Sequence, residues 1–420
     1  MGAVGSRSAH VTARCYYAYH LHQRHDSSLA IFYAGCLFQQ FVVDAWATTE
    51  QSSLDWVHHN QTKLRADLYK TALQNIEDDM GAEERGDRII LPSSHLGSPR
   101  HMFQLFQDSM AICRYCRKPD LFITMTANPN WPEVHEALLE FAGGDESRKQ
   151  KPEDRPDIIA RVFEEKKKAL LKEIQSGLFG EVIGHVHTIE FQKRSLPHIH
   201  ILVFLAALHK IHDAAGADHI VSAQFPNPET EPLLYATVTK TMVHGPCGKD
   251  YPNAKCMVNG ACSKRYPKEF LENTMFGEEG YPQYARPNNG RVFVNRTGYT
   301  YTNRDVILYN PYLSARYDCH INVEVCASIK AVKYIHKYIY KGPDMATVRV
   351  GQADEPQGAQ RGNNARRRHN RQQGIDAQGQ GEGETLNEVE QYLNARYIGP
   401  VEAHWRLFEF SMHLELPSVY

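Results

Sequence analysis

Residues 181–204 constrain the fold more than any other part of this sequence. They contain two runs with the composition of β-strands, 181–190 and 197–204, separated by a short polar turn. Strands joined by so few residues pair as an antiparallel hairpin. Further runs of strand character lie at residues 121–126, 291–295 and 320–325. The sequence therefore predicts antiparallel β-structure built around one hairpin.

Helical patterns surround these strands. Apolar residues recur at helical spacing through the first ninety residues. Ser98 followed by Pro99 predicts the start of another helix, because serine caps helix N-termini and proline suits the first turn. A further helix is predicted from Pro156 to about Ser176. Near the end of the chain, residues 386–397 and 402–412 also have helical spacing.

Composition limits the class of protein. The chain has 420 residues, of which 42% are hydrophobic and 23% charged, and it has no apolar run long enough to cross a membrane. We therefore expect a soluble, intracellular protein without a membrane partner. Its formal net charge of −2 means that any binding of nucleic acid must come from local basic patches. Nine cysteines without a secretory signal favour a reducing compartment.

A pair of histidines closes the second strand of the hairpin. His198 and His200 share one face, because alternate residues of a strand point the same way. They can hold one cation, with Glu190 or Gln192 of the preceding strand as a third ligand. Imidazole and oxygen donors suit Mg²⁺ or Mn²⁺, which polarise phosphates. The alternative is a pair of half-buried, hydrogen-bonded histidines, since residues 185–187 contain a second His-x-His sequence.

A lysine-striped segment, residues 328–341, predicts a helix that carries two tyrosines. Tyr334 and Tyr338 fall about 40° apart, one turn from each other, between an apolar arc and a basic arc. Neighbouring ammonium groups would attract DNA and favour the phenolate form of a nucleophile. Alternatively, the tyrosines simply border the core. The basic arc consists of Lys330, Lys333, Lys337 and Lys341.

A loop-rich insert at about residues 242–268 contains soft metal ligands. They are His244, Cys247, Cys256 and Cys262. The surrounding glycine, proline and asparagine offer little apolar material for a core, so Zn²⁺ would supply stability that the segment otherwise lacks. The spacing is not that of a standard zinc finger, and free thiols are an equally weighted alternative.

Residues 191–202 (FQKRSLPHIHIL) and the tyrosine segment resemble the nicking domain of Helitron transposases, which are two-tyrosine HUH endonucleases. The resemblance covers roughly residues 10–345. Shorter similar blocks lie at residues 91–94, 97–100, 119–124, 128–133, 244–247, 309–312 and 320–324.

The resemblance implies an α+β fold with a central antiparallel sheet of about five strands. It places the histidines on a central strand, packs the tyrosine helix on the sheet and puts a helical region before it. It also implies that His198 and His200 bind the metal ion and that Tyr334 and Tyr338 are nucleophiles. Such enzymes cut single-stranded transposon ends, form a 5′-phosphotyrosine and transfer the strand during rolling-circle transposition.

Four parts are predicted on this basis. Residues 1–115 form a helical N-terminal region, and residues 116–345 form an HUH-type nuclease domain that includes the cysteine insert. Residues 346–385 have the composition of a disordered linker. Residues 386–420 form a C-terminal helical segment. No phosphate loop of the Gly-x4-Gly-Lys-Ser/Thr type occurs in the sequence, so we expect a fragment, a decayed copy or a partner for a helicase supplied by another chain.

Other basic residues add to the expected DNA surface. Lys193 and Arg194 on the hairpin turn are predicted phosphate contacts. The basic run at residues 366–371 is a nuclear localisation signal, a DNA-contacting tail or a solvated stretch of linker. We expect the protein to be nuclear. Two other functions stay open: a catalytically inactive or truncated DNA-binding remnant, and a hydrolytic metallo-phosphodiesterase.

Overall fold

The structure is a computed structural model that describes residues 10–24, 28–64, 89–191, 196–277, 281–326, 387–393 and 396–419. The helices are α1 (Ala13–His20), α2 (Cys36–His59), α3 (Pro99–Cys116), α4 (Pro132–Phe141), α5 (Pro156–Gln175), α6 (Ala214–Ile220), α7 (Pro232–Thr241), α8 (Pro311–Tyr317), α9 (Glu388–Leu393) and α10 (Pro400–Leu407). The strands are β1 (Leu121–Thr126), β2 (Val182–Phe191), β3 (Pro197–Leu205), β4 (Met257–Val258), β5 (Ala261–Cys262), β6 (Met275–Phe276), β7 (Pro282–Gln283), β8 (Phe293–Val294), β9 (Thr300–Tyr301), β10 (Ile321–Val325) and β11 (His413–Leu416).

A five-stranded sheet in the order β10-β1-β3-β2-β11 forms the centre of the molecule, and every neighbouring pair is antiparallel. The predicted hairpin is its β2–β3 pair, within a residue or so of the expected bounds. The histidine strand, β3, is the middle strand. The predicted α+β class, strand number and preceding helical region are therefore confirmed. The tyrosine segment lies outside the described residues.

One face of the sheet is covered by the main hydrophobic core. Ile123 of β1 and Ile199 and Ile201 of β3 are fully buried there, packed with residues of α4, α5 and α10. Trp131, at the start of α4, and Trp405 of α10 are buried in the same cluster. Trp131 Nε1 donates a hydrogen bond to the Tyr317 carbonyl at 2.6 Å, which ties the start of α4 to the end of α8.

The other face is half covered by α3. This helix begins as predicted: the Ser98 hydroxyl accepts a hydrogen bond from the His101 amide at 3.1 Å, and Pro99 occupies the first turn. Ile112 and Cys116 of α3 pack against Phe122, Val186, Leu202 and Phe204 of the sheet. These strand residues lie towards one end of the sheet, whereas His198 and His200 lie towards the other.

The C-terminal part of the chain completes the sheet. Helix α10 packs against α2 and α5, and Ala403 and Leu407 join a cluster with Phe38 and Val42 of α2. The helix predicted to Met412 ends at Leu407, and β11 then pairs with β2 as the edge strand. The prediction that this segment is helical is therefore wrong for His413–Leu416.

The insert between α7 and α8 is dominated by loops, as predicted, and its described residues form the short strand pairs β4–β5, β6–β7 and β8–β9. The strand predicted at residues 291–295 is reduced to Phe293–Val294. A small cluster that includes Met242, Val306 and Tyr309 anchors the insert. Among the helices that the structure describes, none combines the length and apolar character needed to cross a membrane.

Candidate active site on the central sheet

The histidine pair of β3 is held by threonines of the neighbouring strand. Thr126 pairs with His198 and Thr124 with His200 in the β1–β3 register. The Thr126 hydroxyl lies 2.7 Å from His198 Nδ1, and the Thr124 hydroxyl lies 2.9 Å from His200 Nδ1. Metal-binding imidazoles are commonly fixed in this way, with one ring nitrogen on a neighbouring oxygen and the other on the ion.

Glu190 brings a carboxylate to the same place from the other side. It pairs with His198 in the β2–β3 register, and its Oε2 lies 3.0 Å from His200 Nε2. The His200 and Glu190 side chains are only 5% and 9% exposed. Neighbouring ligands of an octahedral ion with bonds of about 2.1 Å are roughly 3 Å apart. The donor set and this separation are therefore compatible with a divalent cation, to which Glu190 could be the third ligand.

An aromatic ring borders the site. Phe122 of β1 stacks on the His200 imidazole, with ring centroids 5.8 Å apart and planes inclined by 10°. Phe122 also belongs to the apolar cluster under α3. The site thus has an apolar wall on one side, which limits access of water to the imidazole and strengthens electrostatic interactions there.

Most of the other predicted site residues lie outside the described residues and stay predictions. They are Tyr334, Tyr338, Lys330, Lys333, Lys337, Lys341, Gln192, Lys193 and Arg194. Sequence reasoning did not include Thr124 and Thr126. Their signal is the Thr-x-Thr spacing within the predicted strand at residues 121–126, which has the same period of two as the histidine pair.

The second histidine pair lies on the opposite face. His185 and His187 of β2 pair with Val203 and Ile201, which belong to the main core. Their rings stack in parallel with centroids 5.8 Å apart. Within the described part of the chain, neither ring has a hydrogen-bond partner. Burial lowers the pKa of His185 to about 4, and burial with the nearby His185 and Lys167 lowers the pKa of His187 to about 2.

The cysteine insert forms a compact group of possible metal ligands. One ligating atom from each of His244, Cys247, Cys256 and Cys262 lies within 4.8 Å of the others. His244 Nε2 is 3.3 Å from Cys262 Sγ. This cluster could hold a metal ion.

Comparison with known families matches the part of the chain from α1 to β3, which supplies the three central strands of the sheet. Residues 16–203 match the family described as the Helitron helicase-like domain at the N-terminus. This region is a Helitron helicase-like N-terminal domain. The match begins in α1 and ends in β3, so it includes both histidines, Glu190 and the two threonines. It relates the chain to Helitron transposases and implies interaction with DNA. No curated protein matches the chain.

Proposed function

We propose that this chain nicks single-stranded DNA and transfers the cut strand through a phosphotyrosine intermediate, as in rolling-circle transposition. One observation carries the proposal: two imidazoles and a carboxylate converge on one face of the sheet, inside a Helitron helicase-like domain. A structural histidine pair needs no buried carboxylate beside it.

His198, His200 and Glu190 would hold Mg²⁺ or Mn²⁺. Bound there, the cation polarises the scissile phosphate and lowers the cost of the negative charge that develops on it. The threonines keep both imidazoles in one orientation, and Phe122 keeps water from one side of the site. The basic residues proposed to hold the DNA backbone are Lys193, Arg194, Lys330, Lys333, Lys337 and Lys341.

Tyr334 or Tyr338 is the proposed nucleophile. The phenolic oxygen bonds to phosphorus, the bond from phosphorus to the 3′-oxygen breaks, and that oxygen takes up a proton. The products are a 5′-phosphotyrosine and a free 3′-hydroxyl. Attack of a 3′-hydroxyl on the phosphotyrosine reverses these steps and joins strands. The second tyrosine permits a second cut while the first strand stays attached.

A denaturing gel tests the proposal. The full chain is incubated with Mn²⁺ and a random pool of single-stranded oligonucleotides labelled at the 3′ end, because the 5′-phosphotyrosine retains the 3′ part. We expect a labelled band at the mass of protein plus DNA. The double change Tyr334→Phe and Tyr338→Phe should abolish it, and Tyr340→Phe is the matched control that should keep it.

The same gel separates the alternatives. A band that survives the double tyrosine change contradicts the assignment. Cleaved DNA without any band indicates a hydrolytic phosphodiesterase, and intact DNA that is still bound indicates a non-catalytic remnant. A helicase from another chain and a nuclear location, the latter based on the basic run at residues 366–371, belong to the same proposal.

A further inference from the structure

The loop that carries the Cys/His cluster has no core of its own. Between Met242 and Thr274, the described residues include none that is buried. A segment of this length without buried side chains gains little hydrophobic stabilisation to offset the conformational entropy lost when it becomes ordered. Its order must come from another source, and the four converging side chains lie within it.

The backbone is shaped to bring the ligands together. Strands β4 and β5 form a hairpin whose two-residue turn is Asn259-Gly260, with φ of 50° and 79°. Positive φ at both positions is typical of a type I′ turn, for which Asn-Gly is the preferred pair. The hairpin brings Cys256, just before β4, next to Cys262 at the end of β5.

The histidine is fixed from the other side of the cluster. The His244 amide donates to the Asp305 carbonyl at 2.9 Å, which ties this residue to the anchored part of the insert. Tyr266 stacks on the imidazole with centroids 4.2 Å apart and planes inclined by 17°. Tetrahedral Zn²⁺ with Zn–S bonds of about 2.3 Å needs sulfur atoms roughly 3.8 Å apart. The present limit of 4.8 Å requires only a small contraction.

We propose that His244, Cys247, Cys256 and Cys262 form a structural zinc centre, and that the loop it orders presents Lys264 and Lys268 as contacts to the DNA backbone beside the histidine site. The second half of this inference rests on the proposed function. Thiolates and imidazole are the ligands that zinc prefers, and a complete set of four leaves no open position for catalysis.

Lys264 and Lys268 follow Cys262 in the sequence and lie next to this cluster. Lys268 Nζ donates to the Lys264 carbonyl at 2.9 Å and lies 4.9 Å from the centre of the Tyr266 ring that stacks on His244. Their positive charges also act on Glu324 of β10: burial raises the pKa of that carboxyl, and a hydrogen bond with Asn322, followed by the charges of Lys268 and Lys264, opposes the rise.

Glu324 connects the loop to the histidine site. It pairs with Phe122, and Phe122 stacks on His200, so these residues share one face of the sheet. Residues 244–268 have a single acidic residue, Asp250, among several cations. These are Lys249, Lys255, Lys264, Arg265 and Lys268. A local basic surface of this kind is what the nearly neutral chain needs to bind nucleic acid.

Metal analysis of the purified full chain tests the zinc centre. We expect stoichiometric zinc in the wild type, and its loss in Cys256→Ser. Cys36→Ser, an exposed cysteine at the start of α2, is the matched control and should keep the metal. Wild-type protein without stoichiometric zinc overturns the centre, whether or not the Cys256 variant folds. Exchange with Co²⁺ should give the visible absorption of a tetrahedral thiolate site, and an octahedral spectrum would also contradict it.

Binding of a fluorescent single-stranded oligonucleotide without divalent cations tests the lysines. Changing Lys264 and Lys268 together to alanine should weaken binding several-fold and reduce the salt dependence of log K by about 1.4, because each single-strand phosphate contact contributes about 0.7. The matched control changes Lys168 and Lys172, which lie on α5 beyond the opposite face.

The outcomes distinguish the two proposals. An unchanged salt slope in the Lys264/Lys268 variant overturns the DNA contact but leaves nicking intact. Wild-type protein that binds no single-stranded DNA contradicts both the lysine contact and the proposed function. The zinc centre would then be supported only by stoichiometric zinc in the purified protein. Wild-type protein that binds single-stranded DNA but forms no covalent adduct contradicts the proposed nicking and leaves both halves of this inference standing.

Discussion

Two His-x-His sequences lie on neighbouring strands and face opposite ways. His185 and His187 of β2 lie on the core face, and His198 and His200 of β3 lie on the other face. Both pairs have the same spacing and the same strand geometry. The difference lies in what surrounds them: the second pair contacts threonine hydroxyls and a carboxylate, and the first lies among apolar side chains.

The comparison shows that spacing alone does not define a metal site. An imidazole in apolar surroundings is held in its neutral form, which explains the lowered pKa values of His185 and His187. Such a neutral imidazole contributes volume to the core and does not bind a cation. An imidazole whose Nδ1 contacts an oxygen, next to a carboxylate, has both the orientation and the partner that a cation requires. The following predictions test this distinction, starting with the largest effect.

His198→Ala should reduce cleavage of single-stranded DNA by roughly a thousandfold, because removing a ligand removes most of the charge stabilisation that the cation supplies. Binding of DNA should change much less. The rate of adduct formation with Mn²⁺ measures the effect. His187→Leu, on the opposite face, is the control, and an equal loss of cleavage there would remove the distinction between the two pairs.

Glu190→Gln should raise the Mn²⁺ concentration needed for half-maximal cleavage by roughly 10–100-fold, since an amide binds divalent cations more weakly than a carboxylate. Titration of Mn²⁺ in the adduct assay gives this concentration. Glu415→Gln on β11 changes a carboxylate of the same face near α3 and should leave the titration unchanged. If Glu190→Gln also leaves it unchanged, Glu190 is not a ligand.

His185 should make the protein less stable in acid. Its folded pKa of about 4 lies below the ordinary value of 6.5, so the unfolded chain binds a proton more readily and stability falls as pH decreases from 6.5 towards 4. This residue alone should lower the free energy of unfolding by about 2 kcal/mol between pH 7.5 and pH 5. Urea unfolding at both pH values should show His185→Leu losing about 2 kcal/mol less than the wild type. An identical loss would mean that His185 is not held neutral.

Thr126→Val should have the smallest effect and raise the Mn²⁺ concentration needed for half-maximal cleavage by roughly tenfold, because it removes the hydroxyl that orients His198 without removing a ligand. The same titration measures it. Thr188→Val is a matched control, since Thr188 pairs with His200 but makes no hydrogen bond to it that the structure describes. Equal effects at Thr126 and Thr188 would indicate general repacking of the sheet.

The hairpin and its histidines could be predicted because their signals are local. Alternation of side chains and a short polar turn specify the β2–β3 pair, and this pairing also places Glu190 opposite His198. The contribution of Thr124 and Thr126 depends on the pairing of β1 with β3, which are distant in the sequence. Periodicity within one strand carries no information about which strand will become its neighbour.

Strand β11 was beyond prediction for a different reason. Its apolar residues, Leu414 and Leu416, are exposed, and the polar His413 and Glu415 are the half-buried ones. Leu414 and Leu416 lie on the same face as His187 and His185, but four residues are too few for their alternation to be told apart from the end of the preceding helix. It is positioned by its backbone bonds to β2, together with the packing of α10 just before it.

The position of β11 also affects how the protein is made. Its residues pair with Thr188 to His185, which leave the ribosome more than two hundred residues earlier. Until then, one margin of β2 offers unpaired amides and carbonyls to any extended peptide nearby. A chain that ended before His413 would keep this edge of the sheet unpaired and open to association with other extended segments.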